Sequence, residues 1–200
     1  FKAPLAGLLF TMEILLFNIS LASMMPLLVS TVSATVVSYL FTGMDTAFHC
    51  TLEPFVLKNI PFYLVLGVAC GFLSLYFTHT TLKLEDHFAK MRSPMFKWLI
   101  CSLGVGVLVF LFPPLYGEGY GDITALLNGI GGEMKGSPLN FLMNSKWGIV
   151  VAFAAVMFFK VLSMTLTNAG GGVGGTFGPT LFVGAIAGFV IARVLNNVLG

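Results

Sequence analysis

Five stretches almost free of charge, Ile19 to Gly43, Ile60 to His79, Trp98 to Tyr116, Trp147 to Leu166 and Thr176 to Leu199, constrain this chain more than any other feature. Each is near the roughly 20 residues that a helix needs to cross the hydrocarbon of a bilayer. In lipid every backbone N–H and C=O must be paired inside the protein, and a helix does so within one segment. The chain therefore reads as an all-α polytopic membrane protein. Only 9% of its residues are charged, whereas an ordinary soluble domain carries about 25%. A shorter apolar run, Pro4 to Phe17, is too brief to span comfortably.

The placement of the few charges predicts the topology. Lys83, Lys90, Arg92 and Lys97 cluster between the second and third long spans, while the loop before the second holds Asp45, Glu53 and Lys58. Positive charge collects on the cytoplasmic side. Residues 80–97 are thus expected inside, and residues 45–59 and 117–146 outside. The net charge of +2 gives no electrostatic case for nucleic acid as a partner. The chain opens at Phe1 on one apolar run and closes at Gly200 after another, and reads as a fragment. The opening run is no signal peptide, because it carries Glu13 and lacks a basic leader and a small-residue cleavage site.

Cys50, Cys70 and Cys101 are scattered without a CxxC spacing and read as packing residues. His49, His79 and His87 show no metal-ligand pattern, so no metal and no cofactor is expected. Glu13, His79 and Glu118 are conceivable acids or bases, but no pair has helical spacing or a nucleophile beside it, and no enzyme is predicted. Asn18-Ile19-Ser20 matches a glycosylation acceptor by chance, wedged between apolar runs. Pro26 is expected to kink its helix or mark its first turns. Between Pro113 and Lys146 the chain turns polar and glycine-rich, including Gly129, Gly131 and Gly132, with a short partial or re-entrant helix near Ile123 to Asn128. Lipid tolerates such irregular backbone only where protein buries it or it lines a cavity.

The sharpest local feature is Gly170-Gly171-Gly172-Val173-Gly174-Gly175-Thr176-Phe177-Gly178-Pro179, a glycine-rich backbone that runs straight into the last span. Glycine lets main-chain amides approach a ligand closely, and a helix N-terminus offers unpaired N–H donors with about half a positive charge. Such a place attracts anions. Pro179 suits a first helical turn, where its missing N–H costs nothing. It is not a Walker A loop, since no Gly-Lys-Ser/Thr follows. Lys160, about two turns before the end of its apolar stretch, could add positive potential near an anion path, snorkel to the membrane surface or pair with a helix C-terminus. Arg193 reads as interfacial.

Gly175-Thr176-Phe177-Gly178-Pro179 resembles the GxFxP anion-site motif of the CLC family of chloride channels and chloride/proton antiporters. Phe1-Lys2-Ala3-Pro4-Leu5-Ala6-Gly7-Leu8-Leu9-Phe10-Thr11-Met12-Glu13 looks like that family's APLAGxLFxxE segment, and Tyr116-Gly117-Glu118-Gly119-Tyr120 is similar to its GxGY-type segment. The resemblance covers the whole chain, helices G to N in the family's lettering. It implies an inverted-repeat fold with tilted and partial helices: residues 1–43 close the first repeat with helices G, H and I, residues 44–59 form an extracellular loop, and residues 60–200 make most of the second repeat, J to N. It also implies a homodimer in the plasma or inner membrane, with chloride or another small anion as the transported ligand. The main chain of Gly175 to Pro179, through the amides of Thr176 and Phe177, would bind it. The family's antiporters usually carry two glutamates at the end of the first motif, the second relaying protons; here Glu13 matches the first and Ile14 the second. Isoleucine cannot titrate. Passive conduction is thus favoured slightly over chloride/proton exchange, and both stay open.

Overall fold

The computed structural model describes residues 2–15, 20–43, 56–127 and 137–199, the side chains of residues 13–15, 21, 143, 144 and 199 excepted. The chain divides into two compact units, Phe1–His49 and Cys50–Gly200. In the first, α1 (Pro4–Leu15) packs on α2 (Leu21–Thr42). The Ser20 hydroxyl caps α2 by accepting the Ser23 N–H at 3.2 Å, which pairs one of the amides that a helix start leaves without an internal acceptor. Pro26 lies inside α2 near its beginning, and the helix continues to Thr42. Gly7 faces the Thr31 methyl, which a Cβ there would meet at 3.5 Å, an ordinary contact distance. Lys2 donates to the Gly43 carbonyl at 2.6 Å and lies over the Tyr39 ring at 5.0 Å. Thr11, Thr35 and Thr42 turn their hydroxyls back onto carbonyls four residues earlier. That pairing keeps polar groups satisfied on helices with apolar surroundings.

The second unit is built around α6 (Lys146–Ala169), which packs against α3 (Ile60–Ala89), α4 (Pro94–Leu111) and α7 (Phe177–Leu199). After α4 come a 3₁₀ turn at Pro113–Leu115 and the short α5 (Tyr120–Leu127), which packs on α7. Ten residues of α6 are buried, among them Phe153, Val156 and Val161, but only Phe88 of α3. Phe153, Phe182 and Ile186 are the largest fully enclosed side chains of the α6–α7 core. No strand occurs among the described residues. Five helical stretches are long and apolar enough to cross a membrane, Ala22–Thr42, Leu57–Ala89, Pro94–Leu111, Lys146–Ala169 and Phe177–Val198. The protein is all-α and multi-pass.

The helices outrun the apolar stretches at several ends. α3 continues ten residues past His79 to Ala89, so Lys83 belongs to a helix and the connection to α4 is only Lys90 to Ser93. Polar residues end an apolar run without ending a helix, and Phe88 holds this end by packing with Cys101 and Ala169, flanked by Leu84, Met91 and Leu166. At about 1.5 Å per residue α3 is about 45 Å long, more than the roughly 30 Å of hydrocarbon, so it must tilt or project. α4 starts at Pro94, four residues before Trp98, where the Ser93 hydroxyl accepts the Phe96 N–H. It stops at Leu111, five residues short of the expected end at Tyr116, because Pro113 and Pro114 cannot continue the helix and tighten the chain into the 3₁₀ turn. α5 starts at Tyr120, three residues before Ile123. Of the expected loop 44–59, residues 44–55 lie outside the described residues, as do Asn18, Ile19, His49, Cys50, Asn128, Gly129, Gly131 and Gly132; Leu57–Asn59 forms a 3₁₀ turn leading into α3.

Candidate functional site

α6 ends on the glycine run because the run supplies backbone conformations that close a helix. The Gly170 N–H donates to Leu166 O at 2.8 Å, that of Gly171 to Asn168 O at 3.1 Å, and that of Gly172 to Thr167 O at 2.9 Å. Gly171 has φ +100°, where a side chain would be strained. These bonds consume the carbonyls that the helix end leaves over. From Gly171 to Phe177 the chain is exposed.

α7 begins at Phe177, with Pro179 as its third residue. The Thr180 N–H and hydroxyl both donate to Thr176 O, at 3.0 and 2.7 Å. The carbonyl of Thr176 is thus drawn into the helix, and the first-turn amides point back toward the glycine run. The structure places Gly175, Thr176, Phe177, Gly178 and Pro179 at one junction between two concavities. One, of about 490 Å³, lies between α3 and α7 and is lined by Thr176 and Thr180 together with Ser74, Thr78 and Thr81. The other, of about 300 Å³, is lined by Gly174, Gly175 and Pro179 together with Lys160, Ser163 and Asn168.

Lys160 is only 3% exposed, so its ammonium does not snorkel out of the protein. It donates to Leu115 O at 3.0 Å and Gly117 O at 2.7 Å, and lies 4.6 Å from the centre of the Phe182 ring. The turn after α4 therefore covers it. Among the groups of that turn, burial pushes the Asp122 carboxyl above its ordinary value, and the Lys160 ammonium pulls it the other way. Burial, then the neighbouring Glu118 carboxylate, pushes the Tyr120 hydroxyl up. Asn168 Oδ1 is buried without a hydrogen-bond partner, and its position on the smaller cavity gives a water molecule there an acceptor.

The remaining expectations fall in different places. The main chain of Glu13 and Ile14 belongs to α1, and their side chains lie outside the described residues. Cys101 is fully enclosed, whereas Cys70 lines the larger concavity. Arg193 lies over the Phe189 ring at 5.3 Å. The hydroxyl stripe Ser74, Thr78 and Thr81 was missed, although its i, i+4, i+7 spacing puts all three on one helix face. Ser163 and Thr167 similarly follow Lys160 along one side of α6. The sequence offered that signal too.

The chain is similar to two proteins described as "Voltage-gated ClC-type chloride channel ClcB", one of Citrobacter koseri, 29% identical, and one of Salmonella typhimurium, 30% identical; each match covers 97% of this chain. A "Putative chloride channel protein ClcB-like" of Ralstonia nicotianae is 29% identical over 100% of the chain. The chain spans 43% of the length of each of these relatives. No solved structure shows a significant match. Residues 1–200 match the family model described as "Voltage gated chloride channel", and the chain belongs to that family of multi-pass integral membrane proteins.

Proposed function

We infer that the protein carrying this chain moves chloride across the plasma or inner membrane, and that the main chain from Gly175 to Pro179 holds the anion. The observation that carries this reading is the junction itself: a glycine-rich, exposed backbone entering the start of a long apolar helix, beside a largely apolar groove to which Ser74, Thr78 and Thr81 add hydroxyl side chains. Amide and hydroxyl donors offset the loss of water around a halide without the full positive charge that would trap it. The α7 dipole adds partial positive potential at the same end. Lys160 contributes background positive charge through the smaller cavity, softened by the two carbonyls it holds. Titratable side chains are not needed for this chemistry, so the protein is read as a transporter of ions and not as an enzyme. It functions as a homodimer in the lipid bilayer.

Passive conduction is the favoured mode. Ile14 stands where an inner proton-relaying carboxylate would stand beside Glu13, and an aliphatic side chain carries no proton. The test is chloride efflux and internal pH recorded together from liposomes containing the full-length protein under a chloride gradient. Chloride movement without proton movement is the expected result. Uphill proton movement driven by chloride establishes chloride/proton exchange instead, and absence of any anion flux overturns the whole reading.

A further inference from the structure

We propose that Lys160 is a positioning residue for the anion site, acting through the 115–119 turn and not mainly through its charge. This rests on the reading that Gly175 to Pro179 holds the anion. The ammonium spends its hydrogen bonds on Leu115 O and Gly117 O, backbone groups 45 and 43 residues away in sequence. Both carbonyls belong to the connection between α4 and α5. Beneath the same ammonium lies the Phe182 ring of α7, itself fully buried. One side chain of α6 therefore ties the turn to the first two turns of α7.

The turn reaches the anion site from its other end. Gly119, at φ +75°, sits so close to Phe182 that a Cβ would run into the ring. One residue earlier, the Glu118 side chain lies against Gly178, where an added Cβ would be 3.8 Å from Glu118 Cγ. Gly178 is one of the five site residues, so the level of the turn sets what flanks the start of α7. Without the ammonium, the Leu115 and Gly117 carbonyls lose their charged donor, and a carbonyl left unpaired away from water is costly. The turn is then free to lift off Phe182, and the first turn of α7 loses its lateral support.

The experiment compares the full-length protein with Lys160→Met and Gly119→Ala variants in nanodiscs and liposomes. Methionine removes the donors at similar length, while alanine at 119 pushes the turn off Phe182 and leaves the ammonium in place. Amide hydrogen exchange in peptides covering 116–122 and 175–182 is expected to quicken about tenfold in both variants, as for loss of about one hydrogen bond to a charged group, with α3 unchanged. Unchanged exchange at 175–182 in either variant overturns the proposal. In liposomes the nitrate-to-chloride flux ratio is expected to shift several-fold in the same direction for both variants, about the effect of one misplaced donor. A shift in Lys160→Met alone means that charge and not position matters, and also overturns it. Should Lys160→Met fail to fold, Lys160→Gln, which removes the charged donor and keeps a neutral one, takes its place in the exchange comparison with the same outcomes. Absence of anion flux in the unmodified protein strikes the transport reading, whereas the exchange result still decides whether Lys160 couples the two segments.

Discussion

Two glycine-bearing turns flank the same helix start, and they are built in opposite ways. The 113–119 turn is closed at its two ends: Pro114 and Leu115 are buried, Lys160 grips two of its carbonyls, and Phe182 fills the space beside Gly119, with residues 116–118 exposed between them. The 170–176 turn is held only at its entry, by the three bonds that finish α6, and is exposed from Gly171 onward. An added Cβ at Gly175 meets nothing within 4 Å. Glycine thus serves packing at 119 and leaves space at 175, while within the same two turns Gly117 meets nothing within 4 Å and Gly172 abuts Thr167. A run of glycines does not by itself say which; the neighbours that fill or leave the space do.

The largest expected effect comes from removing the floor of the closed turn. Phe182→Ala should cost about 3–5 kcal/mol, the range for emptying a buried aromatic site, and lower the thermal midpoint of the detergent-solubilised full-length protein accordingly. A near-unchanged midpoint would mean that the closed turn does not depend on this ring. The next contrast sets the two turns directly against each other. Gly119→Ala should destabilise by about 1–3 kcal/mol through overpacking and the positive φ, whereas Gly175→Ala should leave the midpoint where it was. Equal losses at both positions would erase the distinction between closed and open turns.

The smallest effect concerns Asp122 beside the closed turn. Its carboxyl is raised by burial, with Lys160 opposing, so the protonated form is the one that folding favours. Stability from this group is full below the unfolded value and is lost as pH rises through the folded one. Asp122→Asn should therefore flatten the decline of the thermal midpoint from acid to neutral pH. A variant less stable than the parent at neutral pH would show that attraction to Lys160 outweighs burial.

Much of this arrangement was legible beforehand because it depends on local sequence. Apolar length marked the five spans and Pro179 the first turn of α7, whereas the span expected to reach Tyr116 ends at Leu111, ahead of Pro113 and Pro114. The added helix at the end of α3 was not legible from hydropathy, because residues 80–89 mix polar groups with the helix formers Leu82, Lys83, Leu84, Glu85 and Ala89 and are anchored by Phe88. Nor was the central place of α6. The apolar windows of α3 and α6 look alike in sequence, and only tertiary packing buries one while leaving the other outside. The partners of Lys160 are set by topology, so a reading along the chain could flag a buried cation but could not say what it holds. The glycine junction is legible in sequence as the entry to a helix, whereas the α3 residues that line the groove beside it come from a segment distant in sequence.

If the backbone at the open turn holds the anion, the Phe177 N–H is one of its donors, and deleting that donor alone should weaken binding. Proline fits the first helical position but lacks the N–H, so Phe177→Pro deletes one donor, with Phe177→Ala as the control that keeps it. Chloride binding to the full-length protein would be measured by titration calorimetry for both variants. Proline should weaken binding about 10-fold or more, as for a lost hydrogen bond to a charged group, and alanine should change it little. Equal affinity in the two variants would contradict it.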